Sequence, residues 1–358
     1  MPVLDSVGLA SERIFALRTF HQEAGIPRAE LDLSGGVDSA VMAGLLVQAL
    51  GPEYVTLAHL GIQTNPYATA RARRLADAIG CRLIVSDFSE EYDRIVLRMK
   101  RDLVSAGYDE EEVESRIRRD PTILGALRSM LRAPLGRGYN RFTGGGIRHG
   151  TGNECEDRWL RFYQKGGDGE VDTNPIAMLS KNEVWQLAWG LGSLYGTDAA
   201  KAAFVEVVAA TPSPDLWGTG DEHNDESEFH AVCGVPFSYG RTDPETGRVI
   251  RIGTIERVSR FLDVPMPLHC SMELGAWELV IFADKHLTEW GPVVEASRCI
   301  FPEAQFSEGQ VVGFLKAARR MERLTRHKMN PAISTLGTRE KLLRDSLLSD
   351  DLSQYGCN

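Results

Sequence analysis

The chain has 358 residues, a length that at about 150 residues per domain predicts roughly two domains or one elaborated domain. Hydrophobic residues make up 43% and charged residues 25% of it, ordinary globular usage that argues against a disordered, collagen-like or coiled-coil polymer. Forty basic against fifty acidic side chains give a formal charge of -10, so a general nucleic-acid-coating surface is not expected, although a local basic pocket is compatible with that balance.

Residues 9–24 place Leu9, Ile14, Leu17 and Phe20 at helical spacing before Gly25 and Pro27 end the pattern. A short strand is expected at 30–33. It runs straight into Ser34-Gly35-Gly36-Val37-Asp38-Ser39, and the apolar stretch 40–50 then predicts a helix closed by Gly51 and Pro52. The alternation repeats with a strand at 54–60, a helix at 68–79 ending at Gly80, and a strand at 82–85. That spacing predicts right-handed crossovers and a parallel sheet covered on both faces. Residues 88–118 are charged and helical in pattern, and 121–132 predicts a basic amphipathic helix stopped by Pro134. Seven glycines from Gly136 to Gly152 inclusive predict a mobile loop around one short strand. A helix rich in Trp and Leu follows at 182–191, and the polar stretch 211–228, with six acidic residues, reads as a lid or disordered loop. Residues 242–248 read as a hairpin tip between 237–239 and 249–252, several helices are expected over 255–324, and the chain after Arg339 reads as a frayed tail.

The longest uncharged runs, such as 54–70, carry Thr, Gln, Asn, Pro and Gly, so no membrane span is predicted. Asp5 and Glu12 interrupt what would have to be the apolar core of a leader peptide. The six cysteines are scattered without a CxxC pair, which disfavours a zinc module, a dithiol redox site and a disulfide framework alike. A reducing cytoplasm is the expected location.

A glycine pair at the tip of a parallel strand exposes the start of the next helix, whose N–H groups and positive dipole end can hold an anion. Ser34 and Ser39 add hydroxyl donors beside Gly35 and Gly36, and Asp38 adds a carboxylate. A carboxylate beside a phosphate is favourable only with a divalent cation between them. The combination points to Mg²⁺-bound pyrophosphate. The GxxxxGK[ST] pattern of the ordinary P-loop is absent from the segment.

Those six residues resemble the SGGxDS signature of the ATP-pyrophosphatase (PP-loop) superfamily, in which ATP is attacked at its α-phosphate. Gly150-Thr151-Gly152-Asn153-Glu154-Cys155-Glu156, Tyr163-Gln164-Lys165-Gly166-Gly167-Asp168-Gly169, Asn174-Pro175-Ile176 and Leu179-Ser180-Lys181 resemble, in order, the GTGNxxE, FTKYGDG, hydrophobic-Pro and L-x-K elements of ammonia-dependent NAD synthetases. Thr211-Pro212-Ser213-Pro214-Asp215-Leu216 looks like that family's PTADL loop, and His327-Lys328-Met329-Asn330-Pro331 like its C-terminal HKxxP. The resemblance spans about residues 10–335, with gaps. It implies an α/β fold, a doubly wound parallel sheet flanked by helices of the adenine nucleotide alpha hydrolase kind, with a helical C-terminal extension. The synthetase core is expected over 1–215, a family-related part with long insertions over 216–340, and a tail over 341–358.

The resemblance also implies roles. ATP would be held by Ser34, Gly35, Gly36, Val37, Asp38, Ser39, Thr151, Lys181 and Ser213, and Mg²⁺ by Asp38 with Glu156. One extra residue before Tyr163 leaves Asp157 as the alternative metal ligand. The acid would meet Arg128, Lys165, Asp168, Asp172, His327 and Lys328, with Arg132 an alternative to Arg128. Asp38, Lys165, Lys181 and Ser213 are the expected catalytic set. Two lysines there would supply fixed positive charge where the α-phosphate gathers negative charge. The implied reaction converts nicotinic acid adenine dinucleotide to NAD with ATP and ammonia, in a symmetric homodimer. No glutaminase part is expected, so ammonia would come free or from a separate protein.

Four departures from the family stand out. The loop Gly61-Ile62-Gln63-Thr64-Asn65-Pro66-Tyr67 lacks the family's acidic residues, the family's KARxRM helix is only weakly matched by Gly125-Ala126-Leu127-Arg128-Ser129-Met130-Leu131-Arg132, the usually aliphatic strand before Gly150 reads Phe142-Thr143-Gly144-Gly145-Gly146-Ile147-Arg148-His149, and the stretch from Asp215 to His327 is several tens of residues longer. The altered loops at 63–67 and 144–146 favour, as the alternative, an amide or amine ligase acting on another carboxylic acid. A catalytically inactive nucleotide-binding regulator is a third reading, against which Asp38, Lys165 and Lys181 argue.

Overall fold

The computed structural model of the protein describes residues 3–120, 122–154, 156–157, 161, 163–210, 241–242, 249–250, 316, 320, 323–329 and 337–349. Four parallel strands, β1 (Ala29–Asp32), β2 (Val55–Gly61), β3 (Leu83–Asp87) and β4 (Ile147–Arg148), form one sheet in the order β3-β2-β1-β4. Ala29 pairs with Val55 on one side and Ile147 on the other. Leu57 pairs with Leu83 at the far edge. The chain thus steps outward from β1 to β3 and returns to the opposite side of β1. That reversal creates the switch point of a doubly wound sheet, where ligands bind beyond the strand C-termini.

The helices are cut by local signals. Asp5 caps α1 (Ser6–Ala24) by accepting from Gly8 N at 2.8 Å, and Gly25, at φ +65°, ends it. α2 (Val37–Leu50) follows the glycine loop directly, and Asn65 caps α3 (Pro66–Ala78) through Tyr67 N at 2.9 Å. The charged stretch divides into α4 (Ser89–Ser105) and α5 (Glu110–Arg119). Alternation along β1 sorts the two faces of the sheet. Leu31 and Leu33 join Leu9 and Leu17 of α1, Met42 and Leu45 of α2 and Leu75 of α3 in the main core, with Leu187 and Leu191 of α7 (Lys181–Tyr195) and Phe204 of α8 (Asp198–Ala209). Each such burial is worth about 1.5–3 kcal/mol. Glu30 and Asp32 point the other way, toward the helix α6 (Thr122–Phe142).

Several sequence expectations need correction. Pro134 does not stop the helix expected at 121–132; α6 runs on to Phe142. Proline removes one donor from a helix and crowds one turn. Here Pro134 sits on the exposed side, while Arg128, Ser129, Ala133, Gly136 and Asn140 are buried along the opposite side. Gly136 and Gly138 therefore belong to a helix, and the irregular stretches left on either side of β4 are the turn at 143–146, closed by Gly145 N donating to Asn140 O at 2.8 Å, and residues 150–152. The frayed tail is also wrong over its first part. Arg339–Arg344 forms a helix, α9, whose Leu342 is fully buried in the main core together with Leu348. At the hairpin, β5 (Arg241–Thr242) pairs antiparallel with β6 (Val249–Ile250); the tip at 243–248 lies outside the described residues. So do the expected lid at 211–228 and most of 216–340.

Candidate active site

The loop after β1 crosses the end of the sheet with Gly35 at φ +87°. A Cβ there would overlap the Ala68 carbonyl of α3, so glycine is required on both conformational and steric grounds. Arg71 Nε donates to Gly35 O at 3.0 Å from the same helix. The two serines brace the turn: Ser34 N donates to Ser39 Oγ at 3.1 Å, the hydroxyl oxygens lie 2.9 Å apart, and Ser39 Oγ donates to Gly36 O at 3.0 Å. Gly36 caps α2 without a side chain, and Val37, Asp38 and Ser39 form its first turn. Their N–H groups have no acceptor within the helix, so the turn is an anion cradle.

Asp38 meets two other segments at this point. Lys181 Nζ lies 2.5 Å from Asp38 Oδ2 and 3.0 Å from Glu156 Oε1. Lys181 is almost fully buried and is the first residue of α7, whose cap Ser180 forms a reciprocal box with Glu183. A cation at the positive end of a helix dipole is unfavourable; two carboxylates offset it here. Asn153, also buried, joins the group by donating from Nδ2 to Asp38 Oδ1 at 3.2 Å and accepting from Glu156 N at 3.1 Å. Glu154, Glu156 and Asp157 lie in a π turn, a form frequent at functional sites. It turns Glu156 toward Lys181 and Asp157 away. Asp157 instead accepts from Asn174 Nδ2 at 2.6 Å, and burial together with the nearby Glu156 charge pushes its pKa well up. Thr151 lies half-buried between β4 and this turn.

Among the described residues no three His, Cys, Asp or Glu side chains converge as a metal cage. Asp38 and Glu156 offer two hard carboxylates side by side, a set that fits Mg²⁺, which binds through one or two carboxylates and completes its shell with phosphate oxygens and water.

Of the residues expected around the acid, Arg128 lies on α6 and Lys165 and Asp168 in the turn at 163–169, while Asp172, His327 and Lys328 lie elsewhere. Asp168 Oδ1 accepts from Ser129 Oγ at 2.7 Å and Gln164 N at 2.8 Å, so the turn is pinned to α6 with Lys165 exposed on it. Arg128 is buried and donates to the carbonyls of Ile62 and Gln63, while Arg132 donates to Leu60 O at 3.2 Å and Thr64 Oγ1 at 3.3 Å. Both arginines brace the loop after β2. Asp172 is gripped by both ends of the Arg137 guanidinium at 3.0 and 3.1 Å and accepts from Arg148 N at 2.7 Å. Burial opposes its charge, but these donors hold its pKa below the usual carboxylate range. Lys328, in a short 3-10 turn (Arg326–Met329), donates to Tyr163 O at 2.6 Å and Arg161 O at 3.0 Å, with its ammonium 5.4 Å from the Tyr163 ring centroid. Tyr163 Oη returns a bond to Lys328 O at 2.7 Å, and burial lowers the Lys328 pKa. His327 lies in the same turn; Ser213 is outside the described residues.

Sequence reasoning assigned no role to Asn153, Arg71 or Ser129. Asn153 stood inside a quoted motif and was the detectable one; the other two depend on which helix reaches the loop. The departure at Arg148 is compensated internally. Its guanidinium pairs with Glu30 and lies 2.5 Å from Asp32 Oδ2, and Gly136 gives it room, since a Cβ there would collide with it.

A family model described as NAD synthase matches residues 10–232. The NH(3)-dependent NAD(+) synthetase of Methanosarcina acetivorans is 34% identical over 178 residues, 49% of this chain and 63% of that protein. The match therefore spans just under two thirds of that relative. The synthetase of the same name from Carboxydothermus hydrogenoformans is 30% identical over 207 residues, 58% of this chain and 75% of the relative. Among solved structures, an NMN synthetase from Francisella tularensis aligns with TM-score 0.50 at 20% identity, covering 72% of this chain and 92% of that one. A glutamine-dependent NAD(+) synthetase from Cytophaga hutchinsonii aligns with TM-score 0.56 at 14% identity, covering 89% and 49%. These two likenesses concern the fold.

Proposed function

The chain belongs to the NAD synthase family, and from that membership and the site geometry we propose that it is an ATP-dependent carbon–nitrogen ligase that amidates nicotinic acid adenine dinucleotide with free ammonia to give NAD. The observation that carries the reading is the junction of Asp38, Lys181 and Glu156 beside the anion cradle at the start of α2.

In the proposed reaction a carboxylate oxygen of the acid attacks the α-phosphorus of ATP. The bond to the bridging oxygen breaks, and pyrophosphate leaves with that electron pair. The acyl-adenylate then takes ammonia at its carbonyl carbon, the carbon–oxygen bond to AMP breaks, and one proton is released. Ser34, Gly36, Ser39 and the first-turn N–H groups of α2 would cradle the phosphates, with Thr151 and Ser213 contributing to the nucleotide site. Asp38 and Glu156 would hold Mg²⁺, which when bound neutralises the departing pyrophosphate. Lys181 brings a buried ammonium to the same spot, where preorganised charge lowers the barrier most. Lys165, Asp168 and Asp172, with Arg128, His327 and Lys328, would bind the acid. A homodimer and a cytoplasmic location are part of the proposal.

A second reading changes only the acid. Its support is that Asp172 is already gripped by Arg137 and Arg128 by two carbonyls, while charged Glu30 and Arg148 pair beside β4. Incubation with ATP, Mg²⁺, ammonium and nicotinic acid adenine dinucleotide should yield NAD and AMP by mass. AMP and pyrophosphate formed only with some other acid would establish the second reading, and ATP binding without turnover of any acid would leave a regulator.

A further inference from the structure

We infer that Arg339, contributed by α9 from beyond the family match, is a positioning residue for the Asp38–Lys181–Glu156 centre. The inference rests on the function proposed above only for its kinetic consequences. Arg339 is 1% exposed, and its two terminal nitrogens grip Glu183 at 2.6 and 2.7 Å. The same guanidinium lies 3.8 Å from Glu154. Both glutamates are fully buried.

These two partners belong to the two segments that bring Lys181 and Glu156 together. Glu183 sits two residues after Lys181 in the first turn of α7 and accepts from Ser180 N at 2.8 Å. Glu154 opens the π turn that carries Glu156, and its N–H donates to Leu179 O at 2.7 Å. Arg339 thus spans the base of the site, one cation against two like charges that would otherwise repel across the gap between α7 and the π turn. α9 is anchored by Leu342 in the main core and capped by Thr338 Oγ1, which accepts from Lys341 N at 3.3 Å.

A planar guanidinium can serve both carboxylates; an ammonium on a flexible stem keeps the charge but not the fork. Arg339→Lys should therefore fold while letting Lys181 and Glu156 drift apart. Misplacement of about 1 Å costs on the order of a hundredfold in rate, so kcat for AMP formation should fall roughly ten- to a hundredfold, with KM for ATP and for the acid changed by no more than about twofold. Hydrogen exchange should quicken chiefly at 153–157 and 180–184, and the melting temperature should fall without loss of the fold, because a buried pair is weakened. Glu183→Gln attacks the same link from its other end and should give the same pattern, which keeps the test open if the lysine variant does not fold. Wild-type kcat and wild-type exchange in a folded variant would overturn the inference, as would faster exchange spread over the whole chain. If the wild-type protein makes no NAD, the proposed function falls, and the local exchange result alone decides the role of Arg339.

Discussion

Asp38 balances the buried Lys181 ammonium through Oδ2 and accepts from Asn153 Nδ2 through Oδ1. Asp38→Asn should leave a folded protein, checked by circular dichroism, yet abolish AMP production, since in the proposed mechanism a neutral ligand would not replace the carboxylate that would hold Mg²⁺ on the pyrophosphate. Turnover near wild type would remove Asp38 from the metal site. Lys181→Ala should lower kcat by roughly a hundred- to a thousandfold, the scale for losing one preorganised donor; a change confined to KM would make it a ground-state binding residue. A different pair governs the response to acid. His21 Nδ1–H donates to Ile26 O at 2.7 Å, so its Nε2 accepts from His149 Nε2–H at 3.0 Å, and both rings are buried neutral. Burial, aided by His21, pulls the His149 pKa down to about 3, and burial lowers that of His21 as well. The unfolded chain therefore binds more protons between pH about 6.5 and about 3. His149 lends stability that is complete above that window and is lost as pH falls through it, by at most about 1.4 kcal/mol per pH unit, and the lowered His21 acts in the same direction. Urea midpoints at pH 7 and pH 4.5 should separate more in the wild type than in His149→Gln. Equal separation would discharge the pair from this role.

At the level of elements, motif and period were legible while packing partners were not. The strand, glycine loop and helix around Asp38 follow from glycine chemistry and from apolar runs, although the helix begins at Val37, three residues before the apolar stretch that signalled it. α6 was misjudged because a proline outweighs its surroundings only where its missing N–H and its ring meet a constraint, and Pro134 faces outward. The ambiguity between Glu156 and Asp157 had the same origin. An extra residue before Tyr163 leaves the register open on paper, whereas in the fold Glu156 Oε1 accepts from Lys181 Nζ at 3.0 Å. Gly35 is the position at which local and tertiary demands coincide. Gly35→Ala would have to hold an L residue at φ +87° against the Ala68 carbonyl, at a cost of about 1–3 kcal/mol. A lower urea midpoint together with a raised KM for ATP is expected. An unchanged KM would show that the cradle tolerates displacement of α3.

Taken as a whole molecule, the described residues contain no helix long and apolar enough to cross a membrane. Cys81 is a free, buried thiol whose pKa burial raises to about 11, so it is protonated and unreactive at neutral pH. The resemblance to NAD synthetases implies a homodimer, and sedimentation at micromolar protein should then give about twice 39.6 kDa. An active monomer would contradict that and weaken the case for a dinucleotide acid. By itself the amino-acid sequence determined the alternating fold class, the glycine loop between strand and helix and the order of the motifs, because glycine torsions, helix caps and hydrophobic period act over a few neighbouring residues. Only the tertiary structure decided that Lys181 closes onto Asp38 across 143 positions of chain, that Arg148 is paid for by Glu30 and Asp32, and that the segment after Gly337 reaches under the site through Arg339. The physical reason is that a buried charge is tolerated only beside its partner, and partners brought together by a sheet and its helices leave no mark in local spacing.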